Sequence, residues 1–182
     1  MESRTSVLPR KSGRRIIIRE YYMTREKDHE QGASLEERPD FKAIEEQFAS
    51  EDFIKKCGQA MDINEFHETI SSLPAAKSDY HFTKINIDGL AEKEKDLWLY
   101  CEQLTKYIAE NMSKAENDKE YLEHLRKIVD IAAEEVKKYM QHLTEAENQT
   151  EFYFGGYLNN RLFLASAPLE KLSYMAEQEK RQ

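Results

Sequence analysis

The fold is decided by residues 90–154, LAEKEKDLWLYCEQLTKYIAENMSKAENDKEYLEHLRKIVDIAAEEVKKYMQHLTEAENQTEFYF, which contain neither glycine nor proline. The apolar residues of this stretch keep one heptad phase when Cys101 is placed at position a. Every a position is then apolar or small: Cys101, Ile108, Ala115, Leu122, Val129, Val136 and Leu143. A repeat of this length is typical of helices that pack lengthwise against other helices.

The d positions of the same repeat turn polar in the middle, in the order Leu97, Leu104, Asn111, Asp118, Leu125, Ala132 and Tyr139. Two interpretations are open. One helix of about 55 residues, about 80 Å long, crosses the polar patch. Alternatively, the chain turns near Asn117 and Asp118, which are good loop and N-cap residues, and forms a helical hairpin. We favour the continuous helix, because a tight turn rarely preserves heptad phase.

The apolar arc of this region is wider than a two-stranded coiled coil requires. Further large apolar residues occupy positions g and e, namely Tyr100, Tyr107, Tyr121 and Ile128 at g, and Trp98, Met112 and Met140 at e. A stripe that covers four of seven positions favours a bundle. We therefore predict an all-α protein in which a long heptad-patterned central helix, or a helical hairpin, packs with shorter amphipathic helices.

Shorter helices are predicted before the central region, within a helical domain that spans residues 39–182. Residues 39–73 carry apolar side chains at helical spacing, with Asp62 and Glu65 in capping-box positions and a break near Gly58. Residues 74–89 are predicted to form an extended linker, pinned to the helices by Tyr80, Phe82, Ile85 and Ile87. Residues 90–150 form the long coiled-coil-like region.

Residues 151–182 are predicted to form an aromatic corner followed by C-terminal helices. We expect the chain to reverse at Gly155-Gly156, because glycine adopts a positive φ readily, and a last helix to start at Pro168. The aromatic residues of the corner have two interpretations. They seal the turn, or they form the hot spot of a partner-binding site that contains Phe152, Tyr153 and Tyr157.

The charge is unevenly distributed along the chain. Residues 1–19 carry six basic groups against Glu2, about +5, which leaves about −13 for the remainder of a chain whose net charge is −8. Residues 1–38 are therefore predicted to form a flexible basic arm and linker. Such an arm is attracted to an acidic polymer or an acidic protein surface, through candidate docking residues Arg10, Lys11, Arg14, Arg15 and Arg19.

The motifs of common enzymes are missing from the sequence. With six glycines, the chain has no phosphate-binding loop, dinucleotide fingerprint or nucleophile elbow. Glu120 and His124 share a helical face at i and i+4, but His124 falls at the outward position c, so we predict a solvated surface pair. Cys57 and Cys101 match neither a metal pair nor a disulfide framework. We assign no catalytic, cofactor-binding or metal-binding residue.

These features favour a non-enzymatic assembly or adaptor protein that acts through coiled-coil or bundle packing. Self-association through the heptad face would use Leu122 and Val129, and the basic arm would add electrostatic docking. Two alternatives are a nucleic-acid-associated factor that uses the arm, and a small helical enzyme with a site built from distant residues such as Glu120, Tyr121 and His124. No apolar run is long enough to span a bilayer and no secretory signal is visible, so we expect a cytoplasmic or nuclear protein without integral membrane insertion.

Overall fold

The computed structural model describes residues 38–78 and 80–179. The chain separates into two units, Met1–Pro39 and Asp40–Gln182. The basic arm and its five docking residues lie outside the described residues. Within the described part of the second unit there are seven α-helices, two short 3₁₀ helices and no strands, which confirms the prediction of an all-α bundle.

Four short helices precede the heptad region: α1 (Phe41–Phe48), α2 (Glu51–Gly58), α3 (Ile63–Ser72) and α4 (Pro74–Ser78). The Asp40 carboxylate caps α1 by accepting the backbone N–H of Ala43 at 3.1 Å. The Asp62 carboxylate caps α3 and accepts two backbone N–H groups at 2.9 Å each. Both side chains satisfy donors that the first helical turn leaves unpaired, and the predicted helix start at Asp62 is confirmed.

Residues 74–89 are mostly helical rather than extended. They contain the 3₁₀ helices Phe82–Lys84 and Ile87–Gly89 in addition to α4, so the prediction of an extended linker over residues 74–89 is wrong. Phe82 and Ile85 were predicted to pin this segment to the helices, and both are buried. Tyr80 is instead exposed.

The heptad region folds into a hairpin of two helices, α5 (Glu92–Ala115) and α6 (Lys119–Met140). The prediction that one continuous helix spans this region is therefore wrong, and the hairpin alternative describes the molecule. Asp118 is the N-cap of α6, and its carboxylate accepts the backbone N–H of Glu120 at 2.9 Å. Each helix needs its own apolar stripe to face the other, so an unbroken heptad pattern does not by itself exclude a turn.

The C-terminal helix α7 (Gln149–Glu179) is continuous through Gly155-Gly156 and through Pro168. The chain reverses earlier, between Met140 and Gln149, so the predicted reversal at the glycine pair and the predicted helix start at Pro168 are both wrong. Pro168 is exposed, and the carbonyl that loses its helical donor lies four residues earlier at the exposed Leu164, where water can satisfy it.

The glycine pair serves helix packing and not chain reversal. Neither glycine has a φ in the left-handed region. A Cβ placed on Gly155 would lie 2.5 Å from Cγ of Met140, whereas one placed on Gly156 would meet no atom within 4 Å. Gly155 therefore allows α7 to approach the end of α6 closely, and Gly156 is open to substitution.

The core lies between α5, α6 and α7, with the short helices closing its sides. The a positions from Cys101 to Val136 are buried, as are the d positions Leu97, Leu104, Leu125 and Ala132. Helix α1 packs against α6 and helix α2 against α5. The Tyr100 hydroxyl donates a hydrogen bond to the Phe48 carbonyl at 2.8 Å, which fixes the end of α1 on α5.

Candidate partner-binding surface

The part of α7 from Leu158 to Met175 is apolar on two sides. One side enters the core through the buried residues Leu158, Leu162 and Leu169. The other side carries large apolar residues that are half to two-thirds exposed: Phe163 at 67%, Leu164 at 62%, Tyr174 at 63% and Met175 at 50%. A surface helix normally places charged and polar residues on the side away from the core, so this second apolar side is unusual.

The exposed residues form two doublets, Phe163-Leu164 and Tyr174-Met175, that lie eleven residues apart. Eleven residues make about three turns of helix, so the doublets lie on the same side of α7 and span about 18 Å. Between them lie the exposed residues Ala167, Pro168 and Lys171. We call this surface the outer face of α7; it consists of Phe163, Leu164, Ala167, Pro168, Lys171, Tyr174 and Met175.

Polar contacts hold α7 in place behind this face. Nε of Arg126 on α6 lies 3.2 Å from Oε1 of Glu170, and its Nη1 donates to Oγ of Ser173 at 3.0 Å. These contacts reach to within one residue of Tyr174. The outer face is therefore presented on a helix that is fixed to the bundle over most of its length.

The heptad residues proposed for self-association lie inside the molecule. Leu122 and Val129 are 6% and 8% exposed, and they belong to the core formed by the chain's own helices. The folded unit therefore does not offer these two side chains to a partner. Their burial follows from the hairpin, because α5 and α7 pack on α6 and cover the apolar stripe that a second chain would have used.

The aromatic residues at the start of α7 are also mostly internal. Tyr153 and Tyr157 are buried, and Phe152 is half-buried. The Tyr157 ring packs edge-on against Phe82 with centroids 4.7 Å apart, which places the 3₁₀ segment on α7. This burial favours the packing interpretation of the cluster over the hot-spot interpretation.

Tyr153 also anchors a charged pair at the surface. Its hydroxyl donates to the Glu145 carboxylate, and Nζ of Lys84 lies 3.2 Å from that carboxylate and 4.6 Å from the centroid of the Tyr153 ring. The hydrogen bond between Lys84 and Tyr153 raises the pKa of Lys84. The hydrogen bond between Tyr153 and Glu145 holds the pKa of Glu145 below its ordinary value. The three groups satisfy one another and tie the 3₁₀ segment to the loop before α7.

His124 is buried, at 2% exposure, so the prediction of a solvated pair with Glu120 is wrong. Its Nδ1 lies 2.9 Å from Oε1 of Glu45 on α1, and its Nε2 lies 3.0 Å from the hydroxyl of Tyr107 on α5. The Phe41 ring stacks on the imidazole with centroids 4.4 Å apart. Position c lies outside the heptad seam, but α1 covers that side of α6 and Tyr107 of α5 also reaches it.

The His124 cluster combines a carboxylate, an imidazole and a phenol, which is the type of arrangement that orients a general base. A carboxylate only accepts hydrogen bonds, so Nδ1 carries a proton, and in the neutral imidazole Nε2 accepts from Tyr107. Burial raises the pKa of Tyr107, which keeps its hydroxyl protonated as a donor. Because Phe41 covers the ring, no reactant reaches the imidazole unless α1 is displaced. The cluster anchors α1 on the hairpin.

Removal of the Glu45 carboxylate tests this anchoring role. We expect Glu45→Ala to lower the free energy of unfolding by about 1–3 kcal/mol, because it leaves a buried imidazole N–H without an acceptor. The adjacent Glu46 provides a matched control, since its carboxylate is 69% exposed and lies 3.7 Å from Lys42 of the same helix. We expect Glu46→Ala to change stability by less than about 0.5 kcal/mol. Urea denaturation measures both, and equal effects would contradict the assignment.

The described residues contain little other reactive chemistry. Burial raises the pKa of Cys57 to about 11 and that of Cys101 to about 12, so both remain protonated thiols and poor nucleophiles near neutral pH. Across 38–78 and 80–179, no group of three or more His, Cys, Asp or Glu residues is placed to hold a metal ion.

No helix in the described ranges is both long and apolar enough to cross a membrane. Comparison with protein-family models, curated proteins and solved structures finds no match to this chain. Four of the five large apolar side chains that are exposed in the described residues lie on the outer face of α7.

Proposed function

We propose that this chain is a non-enzymatic assembly protein of the adaptor kind, which binds a helix of its partner on the outer face of α7. The observation that carries the proposal is the pair of exposed apolar doublets, Phe163-Leu164 and Tyr174-Met175, on one side of a helix whose opposite side fills the core. Apolar surface of this kind is stabilised when a partner removes it from water.

The shape of the face suits a helix better than a loop or a small molecule. It is a convex strip about three turns long, and helices pack along such strips by placing their side-chain ridges into the grooves between them. The small residues Ala167 and Pro168 between the doublets allow close approach. The partner helix would thus carry apolar residues at matching three-turn spacing.

The proposal also includes the basic arm and a reducing compartment. The basic arm would add electrostatic attraction to an acidic surface of the partner. A cytoplasmic or nuclear setting agrees with the free thiols of Cys57 and Cys101, which persist in reducing compartments. The two alternative functions have less support, because residues 20–182 carry about −13 and repel nucleic acid, and because the His124 cluster is covered by α1.

Affinity capture with surface variants tests the proposal. The chain, Phe163→Asp/Leu164→Asp and a control, Ala109→Asp/Ser113→Asp, would each be used as bait, and the bound proteins identified by mass spectrometry. The control adds the same charge at exposed positions of α5. We expect the face variant to lose the partners that the control retains. Identical sets of partners from both variants would contradict the proposal.

A further inference from the structure

We infer that the helix bound by the outer face of α7 is α7 of a second copy of this chain, packed antiparallel. This inference rests on the proposed function and names its partner. The outer face of α7 is complementary to itself. Phe163 and Tyr174 lie on one edge of the face, about 20° apart around the helix, and Leu164 and Met175 lie on the other edge with the same spacing.

A two-fold axis that relates antiparallel helices brings like edges together. With the axis near Leu169, Phe163 lies opposite Tyr174 of the second copy, and Leu164 lies opposite Met175 of the second copy. Each doublet of one copy therefore contacts the other doublet of the second copy, and symmetry makes this contact occur twice. An aromatic pair forms along one edge and an aliphatic–thioether pair along the other, both of which are favourable contacts.

Charge selects the antiparallel orientation. Lys171 is exposed near the middle of the face. In a parallel, in-register pair Lys171 would face Lys171 of the second copy, and the like charges would repel. In the antiparallel pair it lies opposite the uncharged Ala167 of the second copy. The antiparallel orientation therefore avoids repulsion between the two lysines.

The available area predicts a weak association. Large side chains of about 150–250 Å² each, half to two-thirds exposed, offer roughly 500 Å² per chain. Two copies would bury roughly 1,000 Å² in total, which is the lower bound for a specific interface. A reversible dimer with a dissociation constant in the micromolar range is therefore expected, rather than an obligate dimer.

Analytical ultracentrifugation across a range of protein concentrations tests the association. We expect the full chain to shift from monomer to dimer, and we expect Phe163→Asp/Leu164→Asp to raise the dissociation constant at least tenfold. Circular dichroism should show unchanged helix content in this variant, because both side chains are exposed. The control Ala109→Asp/Ser113→Asp should dimerise like the unmodified chain. A chain that stays monomeric at all concentrations overturns the inference.

Disulfide trapping tests the orientation. In a Cys57→Ser background, which leaves only the buried Cys101, an oxidised mixture of Phe163→Cys and Tyr174→Cys chains should give mixed dimers. Either variant alone should give few, because its two cysteines lie at opposite ends of an antiparallel interface. Efficient trapping of Phe163→Cys with itself would indicate a parallel pair and overturn the inference. A monomeric chain that still captures face-dependent partners would overturn the inference alone, whereas a monomeric chain without such partners would overturn the proposed function too.

Discussion

Replacement of Leu122 and Val129 by aspartate is expected to unfold the helical bundle. Both side chains lie in the core, where an unpaired carboxylate destabilises the folded state by several kcal/mol. Domains of this size have a free energy of unfolding of about 5–15 kcal/mol in total, so two such charges consume most or all of it. Circular dichroism should show loss of helix at room temperature or a melting temperature lowered by tens of degrees.

The matched control for this prediction is Phe163→Asp/Leu164→Asp, which places the same two charges at exposed positions of α7. We expect its melting temperature to remain within a few degrees of the unmodified chain's, since surface substitutions usually change stability by less than about 0.5 kcal/mol each. A core variant that melts like this control would show that the heptad face is not the interior of the bundle.

The second large effect is expected for Tyr157→Ala. The Tyr157 ring contacts Phe82 and Phe154, and its hydroxyl lies 3.3 Å from Nη1 of Arg161. Truncation of a buried aromatic side chain leaves a cavity and lowers the free energy of unfolding by about 3–5 kcal/mol. Denaturant titration measures this loss, and association should weaken only to the extent that the chain unfolds.

Tyr174→Ala provides the converse case, because Tyr174 is the same residue type on the same helix but is 63% exposed. We expect it to weaken association while leaving the free energy of unfolding almost unchanged. If instead Tyr157→Ala abolished binding without loss of stability, the aromatic cluster at the start of α7 would be the binding site and the packing interpretation would be wrong.

The sequence predicted the buried residues better than it predicted the path of the chain. Heptad spacing identifies which side of a helix is apolar, and almost every a and d residue assigned in this way is buried or partly buried. The same pattern carries no information about where one helix ends and the next begins. The polar residues Asn111 and Asp118 marked the end of the shared seam, and Asp118 proved to be the N-cap of α6.

Two features could not be predicted because they depend on contacts between distant segments. His124 lies outside the heptad seam, and it is buried by the packing of α1, through Phe41 and Glu45, together with Tyr107 of α5. A signal was present in the apolar stripe of α1, which requires a surface to cover. At Gly155, a Cβ would collide with the nearby Met140 side chain unless that side chain moved, and no feature of the local sequence reports this contact.

The outer face of α7 was missed because Pro168 was taken as a helix start. That boundary divides the two doublets between separate helices, so their shared side is not apparent. Once α7 is continuous, the eleven-residue spacing places Phe163-Leu164 and Tyr174-Met175 together. An exposed proline within a long helix is tolerated when water can reach the freed carbonyl, and sequence alone does not report that exposure.

The hairpin buries the heptad face and leaves the outer face of α7 as the surface for association. Spin labels at Ala91→Cys and Lys137→Cys, in the Cys57→Ser background, test it most directly by pulsed electron–electron double resonance. Both positions are exposed, and Nζ of Lys93 lies 5.4 Å from the Tyr139 ring centroid, so the two ends of the hairpin are adjacent. With unlabelled chain added to suppress distances between copies, we expect a separation on the order of 20 Å, the scale of neighbouring packed helices with label arms. A continuous helix would separate the labels by about 70 Å, and that result would contradict the hairpin.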